Sequence, residues 1–192
     1  VIDILGIEKL TIFSVTFIVF ASALYTDLRC HRIANSLCLV ALLSGLIIQS
    51  YFGQWQGLLD ALLGAGLAFL LLLPVYYFRI LGAGDVKLMM AVGALSGPML
   101  LGWSLAYGIM FGGITSLLIA AYHVGWSGIK NTLVRYYQCL YIRHYFKPET
   151  GEAAALRVPY APALVLGWLC ACYFNSELKP VFVYLFISPL GG

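Results

Sequence analysis

Two aspartates hold the chemistry that this sequence could perform. Asp27 closes the first long apolar stretch in Tyr25-Thr26-Asp27-Leu28-Arg29, and Asp85 stands in Leu81-Gly82-Ala83-Gly84-Asp85-Val86-Lys87-Leu88 at the opening of the fourth. Ionisable side chains at membrane depth are costly and mark functional sites. Two carboxylates held close together do not readily both ionise, so one keeps a proton that the other lacks. That suits peptide hydrolysis: the ionised member takes a proton from attacking water, and the protonated member polarises the carbonyl oxygen or protonates the leaving nitrogen. The same two residues also fit a plainer account, in which they cap helices or pair with Arg29 and Lys87. Asp3, Glu8, Glu149, Glu152 and Glu177 fall in terminal or loop segments, where a charge is solvated. Asp60 stands at the start of the third apolar stretch, where a carboxylate favours a helix N-terminus.

The elements that must position this pair belong to a membrane protein. Of 192 residues 62% are apolar and 10% charged, too few charges to cover a water-facing surface, for which about 25% is usual. The apolar runs are continuous and lack the alternation of barrel strands. They predict an all-α bundle of about six transmembrane helices, near 7–26, 36–52, 58–79, 86–101, 105–124 and 158–175, in a single membrane-embedded unit over 1–192. Gly97-Pro98 and Gly102 are expected to break the fourth stretch from the fifth. Val181 to Leu190 is too short for a normal crossing. With the N-terminus outside, nine of the eleven basic residues lie in inner loops, and only Lys9 and Lys179 lie outside, as the positive-inside rule requires. Ala21-Ser22-Ala23 fits the A-x-A cleavage site of a signal peptide, but acidic Asp3 and Glu8 precede the apolar core and Arg29 and Arg32 follow it, so a retained helix is expected. Between Asp27 and Asp85 the chain crosses out and back, which returns both to the inner face. In the loop over 125–157, Ile129, Leu133, Tyr136, Leu140 and His144 recur at helical spacing. The pattern predicts an aromatic, basic amphipathic helix, lying in the headgroup layer or forming part of a substrate platform.

Around Asp85, Gly82 and Gly84 are expected to form a loop ahead of the helix whose backbone a substrate strand can approach closely. Lys87 is read either as a binder of a substrate carboxylate or lipid phosphate or as an ordinary interfacial lysine. The five cysteines include no C-x-x-C pair and no zinc-ligand spacing, so neither a metal nor another cofactor is expected. His123 and His144 have no ligand partners at useful spacing, and His31, beside Asp27, reads as a solvated loop residue. Gly64, Gly66, Gly112 and Gly113 read as sites of close helix packing. The scattered basic residues form no nucleic-acid surface.

The run Gly82-Ala83-Gly84-Asp85-Val86-Lys87-Leu88 resembles the G-x-G-D-x-K-L signature of the type IV prepilin peptidases, a branch of the GxGD intramembrane aspartyl proteases. Asp27 to Asn35 is similar to that family's first catalytic segment, an aspartate followed eight residues later by asparagine, and Arg157-Val158-Pro159-Tyr160-Ala161-Pro162-Ala163 to its proline-containing entry into a late helix. The resemblance implies that Asp27 and Asp85 are the catalytic pair, working at the cytoplasmic face of a bacterial inner membrane. It implies that Asn35 holds the first catalytic loop, and that the substrate is the basic leader of a prepilin or pseudopilin of a type IV pilus or secretion system. Ala34 stands where the family often has proline. The paired C-x-x-C insertion of larger members is missing, so the chain resembles the short form of tight-adherence pilus systems, with peptidase and no methyltransferase activity expected. Against this stand two alternatives, a transporter with Asp27 and Asp85 in an ion relay, and an assembly subunit in which they are structural.

Overall fold

The computed structural model describes residues 4–30, 34–77, 81–142, 160–176 and 178–186. His31, Arg32, Arg79, His144, the expected stretch from 143 to 159 and the end of the 181–190 segment lie outside the described residues. Six helices follow in chain order: α1 Ile4–Cys30, α2 Asn35–Tyr77, α3 Ala83–His123, α4 Gly125–Ile142, α5 Ala161–Phe174 and α6 Lys179–Phe186. The described chain is all-α, and α1, α2 and α3 are each long and apolar enough to cross a membrane.

Two of these helices are too long for one crossing. The 43 residues of α2 would reach about 65 Å if straight, against roughly 30 Å of hydrocarbon. Each is instead folded back. In α2 the reversal is at Gln54, with φ 50° and ψ −132°, the angles of the first central residue of a type II′ turn. Beyond it, Gly57 lies so close to Gln49 that a Cβ there would run into the Gln49 carbonyl; along a straight helix residues eight apart are about 12 Å distant. In α3 the reversal is at Gly97, with φ 75° and ψ 171°, a conformation open to glycine, and Pro98 opens the returning limb. The expected break at Gly97-Pro98 is therefore present, whereas Gly102 is helical. The second and third expected stretches are the two limbs of α2, and the first and sixth correspond to α1 and α5; the fourth, expected over 86–101, ends instead at Ser96, and residues 98–101 open the returning limb that holds the fifth.

The limb from Ala83 to Ser96 is the centre of the bundle. Val86, Leu88, Met89 and Ala91 to Leu95 are all buried. At 1.5 Å per residue this limb is only about 21 Å long, shorter than the hydrocarbon core, so its ends do not both reach the membrane surface unless the bilayer thins. Backbone groups freed at such a depth need partners from the protein. One is supplied by buried Gln49, whose Nε2 donates to the Leu95 carbonyl at 2.7 Å.

Glycine sets how closely the limbs approach. Gly45 lies against the Ala94–Leu95 backbone, Gly64 against Gly93, and Gly167 against Gly108. These contacts fix the directions: the first limb of α2 runs parallel to the first limb of α3, its second limb antiparallel, and α5 antiparallel to the second limb of α3. α1 packs Phe13 and Phe20 against Trp168 of α5, with ring centroids 5.0 and 5.4 Å apart. The four glycines grouped by sequence separate here. Gly64 and Gly112 are at helix contacts, whereas Gly66 and Gly113 face open space.

A Cβ on Gly64 would collide with backbone of Gly93, which cannot swing aside as a side chain can. Gly64→Ala is therefore expected to destabilise the fold by about 1–3 kcal/mol, and Gly66→Ala to leave it unchanged or slightly firmer. Thermal unfolding in detergent micelles checks this, and equal effects at the two positions would contradict the packing.

Candidate active site

Asp27 is in the last turn of α1, where Thr26 Oγ1 turns back to the Ser22 and Ala23 carbonyls at 3.1 and 3.0 Å. Asp85 is the third residue of α3. One of its oxygens, Oδ2, accepts the Gly82 N–H at 3.2 Å, the carboxylate half of a capping box. Both aspartates are partly buried. Two limbs, those of α2, separate the end of α1 from the start of α3, and this even number brings both carboxylates to one end of the bundle.

The glycines work differently from the sequence expectation. Gly84 and Asp85 lie in the first turn of α3 instead of in a loop ahead of it. Gly82, the N-cap, has φ −77° and ψ 152°, angles open to any residue. What matters at Gly82 is space, since a Cβ there would sit 3.2 Å from Asp85 Oδ2 and crowd the carboxylate.

The nearby cations turn elsewhere. Arg29 donates to the Tyr25 hydroxyl and lies over its ring. Lys87 Nζ donates to Asn35 Oδ1 at 2.9 Å, joining the first turn of α2 to the first turn of α3. The reading of the aspartates as partners of Arg29 and Lys87 therefore finds no ion pair among the described residues. Among the same residues, no three His, Cys, Asp or Glu side chains are grouped to hold a metal.

One residue escaped the sequence reading. Cys38 is buried one turn after Asn35 on the same face of α2, with Sγ 4.0 Å from the Gly84 carbonyl oxygen. Asn35 and Cys38 thus hold the α3 turn at Lys87 and Gly84, on either side of Asp85 in sequence. The i, i+3 spacing of Asn35 and Cys38 carried that signal, but only beside knowledge of which helix α2 faces.

The arrangement is one of two partly buried carboxylates on separate helices, at one end of a membrane bundle. A family model for the type IV leader peptidases matches residues 14–124, more than half of the chain and including both aspartates. The chain belongs to the type IV leader peptidase family. No curated protein and no solved structure matches it. Family membership makes it a membrane peptidase, and the match runs from within α1 to the end of α3, the part of the fold that carries Asp27, Asn35, Gly82, Gly84, Asp85 and Lys87. The segments α4, α5 and α6 lie beyond it.

The Asn35–Lys87 contact is expected to act as one unit. Asn35→Ala and Lys87→Met should each cost about 1 kcal/mol of stability, and the double variant no more than either alone. Denaturant unfolding of all four proteins measures this coupling, and strictly additive losses would show that the two side chains act independently.

Proposed function

We propose that the chain is an aspartyl endopeptidase that cuts the leader from type IV prepilins or pseudopilins, with Asp27 and Asp85 as its catalytic pair. The observation that carries this reading is the placement of both carboxylates at one end of the bundle, inside the stretch that matches the leader peptidases. In this mechanism the ionised member removes a proton from water as the oxygen attacks the scissile carbonyl carbon. The protonated member donates to the carbonyl oxygen. The tetrahedral intermediate then collapses, the C–N bond breaks, and the leaving nitrogen takes up a proton from the pair. Acid and base are roles of the pair and are not assigned to either residue.

The first limb of α3 supports a site at membrane depth, because its short length draws its ends inward. Gly82 leaves room beside Asp85 Oδ2, and the Asn35–Lys87 contact and Cys38 hold the turn that presents it. Gly84 and Lys87 border the space where an extended peptide would lie. The distribution of lysine and arginine supports a cytoplasmic active face in a bacterial inner membrane, where a leader still attached to its apolar stalk helix would be presented.

Co-expression with a candidate prepilin tests the proposal through the gel mobility of the substrate. Asp27→Asn and Asp85→Asn are each expected to reduce conversion by about 10²–10⁴-fold or more, with the protein still inserted in the membrane. Chelators and serine- or cysteine-directed inhibitors are expected to leave conversion intact. Unchanged conversion in both asparagine variants would overturn the catalytic assignment, and proton or cation flux abolished by the same substitutions, with no cleaved product, would favour the ion-relay alternative.

A further inference from the structure

α4 buries the wrong face for a helix that packs on a protein core. Among the described side chains, its buried residues, Gly128, Thr132 and Arg135, recur at i, i+4 and i+7 and form one edge of small and polar side chains. The large apolar and aromatic residues among the described side chains point away. Trp126 is 81% exposed, Leu133 65% and Tyr137 71%; at 100° per residue they share one stripe, roughly 150° around the helix from the buried edge. A third stripe of Ser127, Asn131 and Gln138, also exposed, lies about 120° from the aromatic one. An amphipathic helix of a soluble protein does the reverse, turning its apolar stripe to the core and its polar residues outward.

We propose that the Trp126–Leu133–Tyr137 stripe of α4 is embedded in the lipid headgroup layer, on the same side of the membrane as Asp27 and Asp85. Side follows from the fold: α3 starts at the aspartates, reverses at Gly97 and returns along a longer limb, so α4 begins at the same end of the bundle, beyond the level of the start of α3. Gly125, with φ 67°, then turns the chain out of the line of α3, a conformation that glycine adopts without strain.

Three observations choose lipid as the occupant. The stripe continues the apolar exterior at the end of α3, where Leu117, Leu118 and Tyr122 are exposed. Its large residues are Trp and Tyr, whose rings have an apolar body and a polar edge and concentrate at membrane–water boundaries. Exposed Lys130 lies beside the stripe, where an ammonium meets phosphate oxygens. The polar stripe then faces water. This inference rests on the membrane fold and does not depend on the peptidase reading.

Photocrosslinking of the full chain tests it. p-Benzoylphenylalanine is placed at position 137, 133, 131 or 138, in proteoliposomes containing phosphatidylglycerol, and adducts are identified by mass spectrometry. Positions 137 and 133 are expected to capture phospholipid at least about fivefold more than positions 131 and 138. Equal capture at all four positions would overturn the proposal. So would adducts from position 137 to a second copy of the chain, or to a prepilin included in the vesicles, which would make the stripe a dimer contact or a substrate platform. Insertion of each variant is checked by protease protection. Leu133→Asp gives a second reading: the proposal predicts greater proteolytic access to α4 in vesicles than in wild type, and unchanged access would contradict it.

Discussion

The constraint on which this fold depends is the placement of the first limb of α3, whose first turn carries Asp85 to the end of the bundle where α1 carries Asp27. Asp27 and Asp85 come from helices that share little direct packing, and neither has a cation in contact with it among the described residues. The restraint comes from elsewhere. α2 clasps α3 along both of its limbs, with Gly45, Gly64 and Gly93 letting backbones meet, and the first limb of α3 is thereby fixed in place and in depth. Once that limb is fixed, so is its first turn, and with it Asp85.

The second layer of restraint is polar and lies at the ends of the central limb. At the far end Gln49 accounts for the Leu95 carbonyl that the Gly97 reversal leaves without its helical partner. At the near end Asn35 and Cys38 hold Lys87 and Gly84. Both devices come from the first limb of α2, which runs alongside the central limb and grips it at each end. The glycines of the G-x-G-D run fit this account more simply than a permissive loop does: a compact helix start, a carboxylate turned back on its own N-cap, and no side chain at Gly82 to crowd it.

Much of this was legible in the sequence because the membrane narrows the choices. Scarce charge made each intramembrane acid conspicuous, the parity of crossings brought Asp27 and Asp85 to one face, and Gly97-Pro98 announced its own reversal. The reversal at Gln54 was harder to place, since glutamine is not a turn residue of that kind and Gly53 beside it takes helical angles. Which glycines mediate packing could not be read either, because Gly64 and Gly66 differ only in the direction they face. Cys38 was invisible for the same reason: its role depends on what stands opposite α2. In α4 the helical period was plain, but the buried edge among its described side chains consists of Gly128, Thr132 and Arg135, which no apolar pattern selects.

The central claim is that the two carboxylates behave as one titrating unit. Infrared difference spectroscopy of the protonated carboxyl band, followed over pH in wild type, Asp27→Asn and Asp85→Asn proteins in lipid, tests it most directly. The account predicts that the wild-type band titrates in two linked steps, and that removing either carboxylate leaves one step with its midpoint displaced from both. A band for Asp85 that titrates with the same midpoint whether or not Asp27 is present would contradict it.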